Sequence, residues 1–427
     1  MPIPLRPFDG IRAWGLSARQ RNNVLWLLAA TLTNSVFCRL TVFGSTFVLF
    51  LDHLGLDKGR IGLLLGFIPF AGLLSLVAAG FVARVGFRRA YIGFFTVRKA
   101  AMALVLLLPW VSARWGAGVG LLWVAGAIVV FSVCRAVGEV GAYALFQELV
   151  PNAIRGKFNA LAYAMITASG IVATVMAGWA LRGHPDTGRY LLVIGVGVLL
   201  GAVSVVSLLP LKGGGPVRRG PEGHSARGEM LLAIRDANFV RYISGVGLAN
   251  LAISLGAFVP LYLKESVGLA PGVVVWLDAA VSVGGLAAAG IWGRHADRRG
   301  SKPVLTTGLA LAALAPAAMA LPGLVTQGWA ALLVMLWMGA AQIGWYIGSE
   351  RYLFVKGIPP AHKTGYIAVY YSLAGLTNGL GPLTAGRLVE VARAAGAPPY
   401  AMVFALSAVL ALTSVALLRG LQSDADA

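Results

Sequence analysis

The sequence predicts an all-α membrane protein with twelve transmembrane helices in two six-helix halves. Three observations carry that expectation. Of the 427 residues, 58% are hydrophobic and only 12% are charged, with a mean hydropathy of +0.79. Soluble domains carry about twice that charged fraction. The apolar residues fall in continuous runs long enough for a helix to cross about 30 Å of hydrocarbon. A membrane barrel would instead need alternating segments of about ten residues. Finally, one long polar stretch, beginning at Lys212, separates six such runs from six.

The runs place spans at 24–51, 59–83, 91–111, 117–146, 158–181, 190–210, 239–263, 271–293, 303–322, 328–349, 365–386 and 398–418. Lys and Arg crowd the amino tail, the loops leaving even-numbered spans and the carboxyl tail, and are sparse in the opposite loops. Cytoplasmic loops hold the excess of basic residues. Both termini are therefore expected in the cytoplasm, with the chain in an inner (plasma) membrane. The same bias accounts for most of the net charge of +19. The basic residues are scattered over short segments rather than gathered on one patch, so nucleic acid is not an expected partner. Residues 1–23 are too polar for the core of a cleavable signal, and the first apolar run is too long for one.

The resulting organisation is an amino tail (1–23), an amino-terminal half (24–210), a linker (211–238), a carboxyl-terminal half (239–418) and a short tail (419–427). The linker holds Gly213 to Pro216, Arg218, Arg219 and Pro221, a composition that cannot bury a core. Residues 230–236 after it read as a short interfacial helix leading into span 7. Weak internal similarity joins the halves. After span 4, Arg155 and Phe158 follow Pro151. After span 10, Lys363 and Tyr366 follow Pro359 with the same spacing. Gly284, Gly285 and Gly290 in span 8 suit close helix contacts.

The most specific motif follows span 8. Gly293, Asp297, Arg298, Gly300 and Lys302 spell Gly-x-x-x-Asp-Arg-x-Gly-x-Lys. A degraded copy, with Ala83, Arg84, Gly86, Arg88 and Arg89, follows span 2. The run resembles the signature loop of the major facilitator superfamily of secondary transporters, and the resemblance covers essentially the whole chain. It implies two six-helix halves that rock about a central site, lined by spans 1, 4, 7 and 10. It also implies that the loop residues Arg84, Gly86, Arg88, Gly293, Asp297, Arg298, Gly300 and Lys302 gate the cytoplasmic side. Asp297 would then latch to cations and a helix end. With Ala83 in the acidic position, the amino-terminal copy lacks that latch.

Ionisable residues inside the spans are the candidates for function, since a charge there costs at least about 2.5–3.5 kcal/mol. Arg39 lies about fifteen residues, or about 22 Å, into span 1. Arg135 is central in span 4, and Glu139 lies one turn on along the same face. Each arginine follows a cysteine, Cys38 or Cys134. Arg39 and Arg135 together would recognise a carboxylate or phosphate with planar donor forks. Glu139 would pair with them when the site is empty and carry a coupling proton. A second reading also stands: a permanent Arg135–Glu139 pair that only holds span 4. Arg98 and Lys99 in span 3 are expected to snorkel to the interface. Asp278 in span 8 is a further coupling candidate, open also to a structural or interfacial role. Asn34, Asn250, Gln342, Trp345, Tyr346 and Asn378 add polar and aromatic groups that suit a small solute.

Some features narrow the subfamily. Span 5 lacks the Gly-Pro motif that drug antiporters of the family carry; Gly381 and Pro382 lie in span 11 instead. Organic-anion transporters of the family use arginines in spans 1 and 4, although their glutamate follows by two turns rather than one. The expected cargo is therefore a small polar organic solute, an organic anion before a cation. Neutral sugar-type symport and efflux of drugs or metabolites are the alternatives within the fold, with a non-transporting sensor outside it. No enzyme activity, cofactor or metal is expected. The five histidines, His53, His184, His224, His295 and His362, share no ligand spacing. The expected partners are the substrate, a coupling proton and the lipid bilayer, with the monomer as the working form.

Overall fold

The computed structural model describes residues 14–216, 226–321, 323–359 and 363–423. Amino-tail residues 1–13, linker residues 217–225 and carboxyl-tail residues 424–427 lie outside the described residues. The described chain is helical from end to end. Ten helical segments are long and apolar enough to cross a membrane, and a bent pair around 58–85 makes eleven. Lys363–Ala394, 32 residues long, supplies the twelfth and packs against helices of spans 2 and 7. "Inner" and "outer" below follow the Lys/Arg bias, inner being the basic side.

Spans 4, 5, 6, 8, 10 and 12 are single helices, Ala117–Leu149, Asn152–Ala180, Thr187–Leu208, Pro271–Arg299, Gly328–Tyr352 and Ala401–Arg419. Others are broken where the sequence removes a donor or frees φ. Span 3 (Phe87–Leu104, Leu108–Trp115) and span 7 (Ala237–Leu255, Val259–Glu265) each narrow to one 3-10 turn just before a proline, Pro109 and Pro260. Proline has no N–H and cannot continue the ladder. Span 2 (Lys58–Phe70, Leu74–Val85) does the same just after Pro69. Span 9 divides into Ser301–Ala312 and Leu314–Ala320. Span 1 breaks fully between Ala18–Thr41 and Ser45–His53, with Gly44 at φ 142°. Side chains are disfavoured there, so the break depends on glycine. The short helix Ala226–Ala233 precedes span 7, starting four residues before the expected 230–236 and ending three before its end.

Contacts group the chain into two units. One comprises residues 1–43, 74–173 and 191–219; the other comprises 44–73, 174–190 and 220–427. In the first, Val24, Leu27 and Leu28 of span 1 meet Leu145 and Leu149 of span 4, Phe158 of span 5 and Leu208 of span 6. In the second, Phe239, Tyr242, Leu309, Trp345, Tyr352 and Leu418 form the core. Spans 8 and 10 approach through glycine: a Cβ on Gly284 or Gly339 would overlap the backbone carbonyl of Leu336 or Val281. That contact is the use expected for the small residues of span 8.

Candidate substrate site and the contacts around it

In the first unit, Arg39 occupies the last turn of the inner piece of span 1. The amides of Val42 and Phe43 both return to the Cys38 carbonyl, at 3.2 and 2.8 Å. The helix ends two residues beyond Arg39, where a cation suits the negative helix end. A side chain at Gly170 of span 5 would come within 4.0 Å of the Arg39 Nε. Nearby, Ser35 and Ser169 share a 2.8 Å hydrogen bond between spans 1 and 5.

On span 4, Arg135 Nε donates to Glu139 Oε1 at 2.8 Å. Both side chains are partly exposed, while Cys134, Ala136 and Gly138 are buried. Helical spacing thus turns the ion pair away from the packed side of span 4. The Arg135 guanidinium lies 4.9 Å from the ring centre of Phe43, at the break of span 1. The structure therefore brings Arg135, Glu139 and the broken span together.

Arg98 and Lys99 do not snorkel. They are 1% and 4% exposed. Arg98 Nη2 and Lys99 Nζ both donate to Asn34 Oδ1, at 2.5 and 3.2 Å. Arg98 also lies 3.6 Å from the ring centre of Phe95 and within 6 Å of Phe37 and Phe131. Inward aromatic faces and one amide oxygen replace water for both cations. Asn34, expected to meet a solute, is committed to this pair instead.

The polar residues of the carboxyl-terminal half also divide. Trp345 is enclosed in the core. Tyr346, next in sequence, is 44% exposed. Asn378 turns back to the Ala374 carbonyl at 2.8 Å. Asn250 is half-buried on span 7. Gln342 lines a cavity with Ala252, Ile253, Leu309, Met338 and Ser407, among spans 7, 9, 10 and 12. Trp345 and Tyr346 meet different surroundings because adjacent helix residues point about 100° apart.

The signature runs are helix ends rather than loops. Span 8 stays helical through Arg299, and Ser301 begins span 9. Gly300 alone turns the chain, at φ 80°, and Gly86 does the same at φ 99°. Asp297 on the last turn meets Arg351 of span 10 at 2.7 Å. Arg84 and Arg298 are exposed, while Gly293 is half-buried. Arg88 Nη2 donates to the Leu209 carbonyl after span 6, at 2.6 Å. Lys302 Nζ donates to the Leu421 carbonyl after span 12, also at 2.6 Å. A second matched pair lies beside the first. Asn23 Oδ1 accepts from the Lys212 amide at 3.3 Å, and Asn238 Oδ1 accepts from the Gln422 amide at 3.2 Å. The ends of spans 6 and 12 are thus tied to the starts of spans 1 and 7 and to the signature turns after spans 2 and 8. These matched ties argue for duplication more strongly than the sequence similarity does.

Sequence reasoning missed a group of contacts at the outer ends, all within the second unit. Lys58 pairs with Asp52, and also with Glu265 at 2.5 Å. Lys264 meets Asp52 at 2.6 Å, and Arg393 and Tyr400 meet Glu265. The Gly59 amide donates to Glu390 Oε1 at 2.7 Å. Asp278, expected as a coupling candidate, accepts from the Ser45 amide at 3.1 Å and so caps the outer piece of span 1. Trp276 Nε1 donates to the Val175 carbonyl at 3.0 Å, beneath Arg182. The available signal was a set of opposite charges at successive outer span ends, where basic residues are otherwise scarce.

Residues 239–425 match the family model of the Major Facilitator Superfamily. The chain carries the major facilitator fold. Solved structures with this fold superpose along nearly its whole length. A point mutant of the nucleoside transporter NupG gives a TM-score of 0.71 at 14% identity, covering 93% of this chain and 98% of its own. A bacterial homologue of the iron transporter ferroportin, inward-facing, gives 0.68 at 16%, with coverages of 95% and 99%. A D-xylose–proton symporter gives 0.65 at 18%, with 94% and 99%. No curated protein sequence matches the chain. At these identities the likeness establishes the fold alone.

Proposed function

We propose that the protein is a secondary transporter that moves a small organic anion across the inner membrane by alternating access. The observation that supports this reading most is the Arg135–Glu139 pair, midway along span 4, partly exposed and beside the break of span 1. A permanent structural pair has no need of access. A substrate carboxylate or phosphate would replace Glu139 as the partner of Arg135, with Arg39 as a second donor fork. Glu139, once released, is the group that takes up the coupling proton. Broken helices beside the site are a recurring device for holding charged solutes in transporters. Both termini are placed in the cytoplasm by the Lys/Arg bias. In this reading the two six-helix halves rock as bodies. The outer contacts at Asp52, Lys58, Asp278 and Glu265 hold the outer side closed, and the signature turns govern the inner side. NupG, the ferroportin homologue and the xylose symporter carry unlike cargoes by their names, so the choice of an anion rests on Arg39 and Arg135.

The test is a thermal-shift screen of the purified protein against mono- and dicarboxylates, organophosphates, sugars, nucleosides and lipophilic cations. A ligand at a hundred times its Kd stabilises by about 2.7 kcal/mol. An organic anion should raise the melting temperature of wild type, and Arg135→Ala and Arg39→Ala should each abolish that rise. The same anion should enter proteoliposomes. Sugars or nucleosides that stabilise wild type and both variants alike would overturn the anion reading.

A further inference from the structure

In the second unit, the Asp297–Arg351 pair joins the last turn of span 8 to span 10. The first unit cannot make that join. Ala83 stands in the acidic position, and Tyr143, eight residues before Pro151 as Arg351 is before Pro359, stands for the arginine. The first residues of the linker make the join instead. The Gly214 carbonyl accepts from the Arg88 amide at 3.1 Å, and the Gly214 amide donates to Glu148 Oε1 at 2.8 Å. One linker residue thus connects the turn after span 2 to the last turn of span 4. Lys212 meanwhile exchanges two hydrogen bonds with the Asn23 side chain near the start of span 1, both at 3.3 Å. Gly214 is buried, with φ 71°. A Cβ on it would come 2.6 Å from Leu145 Cδ1 and 2.9 Å from the Arg88 nitrogen. Glycine alone has both the conformation and the room. Glu148 sits where a carboxylate is otherwise out of place, at the negative end of a helix. Among the described residues no cation pairs with it, and the Gly214 amide supplies its charge-assisted hydrogen bond.

We propose that residues 212–214 are the inner latch of the amino-terminal half. This strap does through backbone groups what Asp297 and Arg351 do through side chains. It holds the turn after the second span of the repeat against the fourth. It is independent of the cargo and of Arg39 and Arg135. The two latches differ in how they open. An ion pair parts when its own two helices move. A strap continuous with the linker also parts when the linker is pulled, so linker and signature turn are coupled.

The experiment is hydrogen exchange of the full chain in detergent, read by mass spectrometry. Glu148 is exposed, so Glu148→Ala should still melt cooperatively, and Gly214→Val is the second variant. In both, the Arg88 amide should exchange about tenfold faster or more, as loss of a hydrogen bond to a charged group implies. The inner turns of spans 3 and 4, residues 90–94 and 145–149, should speed up with it. Glu148→Gln keeps the acceptor oxygen and should retain most of the protection. Residues 296–302 of the second unit should exchange as in wild type. A merely local contact would expose the Arg88 amide alone. Adding Ala83→Asp and Tyr143→Arg to Gly214→Val installs the side-chain pair. It should slow the inner turns again while the Arg88 amide stays exposed. Unchanged inner turns in both variants, or no slowing by the installed pair, would overturn the proposal.

Discussion

Asn34 is one small amide that two buried cations share. Both Arg98 and Lys99 donate to its oxygen, and Arg98 Nε has no hydrogen-bond partner among the described residues. A buried charge stripped of its acceptor costs about 1–3 kcal/mol or more. Asn34→Ala should therefore lower the melting temperature markedly. Adding Arg98→Met should recover part of the loss, because an apolar chain of similar length needs no acceptor there. A double variant no more stable than Asn34→Ala would show that the amide serves something else. The Arg135–Glu139 pair makes the opposite prediction. Its members are accessible, so Glu139→Gln should change stability little. In proteoliposomes it should keep anion binding but lose the response of flux to an imposed proton gradient. A variant that still responds would remove Glu139 from coupling.

Single elements are held by contacts that the residue pattern only hints at. Gly339 meets the Val281 carbonyl of span 8 with no room for a methyl group. Gly339→Leu should destabilise by about 1–3 kcal/mol, the range for overpacking, as read from detergent melting curves. Arg88 and Lys302 each reach a carbonyl at the end of the last span of their own unit. A cation at a helix carboxyl end contributes about 0.3–1 kcal/mol, so these are anchors as well as members of the signature. In the amino-terminal copy, whose acidic position is Ala83, Arg88 makes the tie to the end of span 6. Asp278 shows the same duality: its carboxylate caps a half-helix of span 1 that exists only because Gly44 breaks the span.

For the whole molecule, the outer ionic group is the largest set of coupled charges among the described residues. Lys58 bridges Asp52 and Glu265, and Glu265 also receives Arg393 and Tyr400. These residues come from spans 1, 2, 7, 11 and 12. A double-mutant cycle on Lys58→Ala and Glu265→Ala should give a non-additive coupling of about 0.5–3 kcal/mol, the range for contacting charges. Under the proposed alternating access, either single variant should also raise the labelling of a cysteine replacing the buried Leu56 at the outer end. Additive stabilities with unchanged labelling would reduce the network to surface decoration.

The sequence by itself determined the all-helical class and the succession of apolar spans. Lipid enforces this, since each crossing needs a long apolar run with its backbone bonded internally. Helical spacing also made the Arg135–Glu139 pair legible. Only the tertiary structure decided which polar groups are occupied. It enclosed Trp345, committed Asn34 to Arg98 and Lys99, and set Asp278 on a helix end. The reason is physical. Periodicity tells which residues share a face, but another helix, distant in sequence, decides what that face meets.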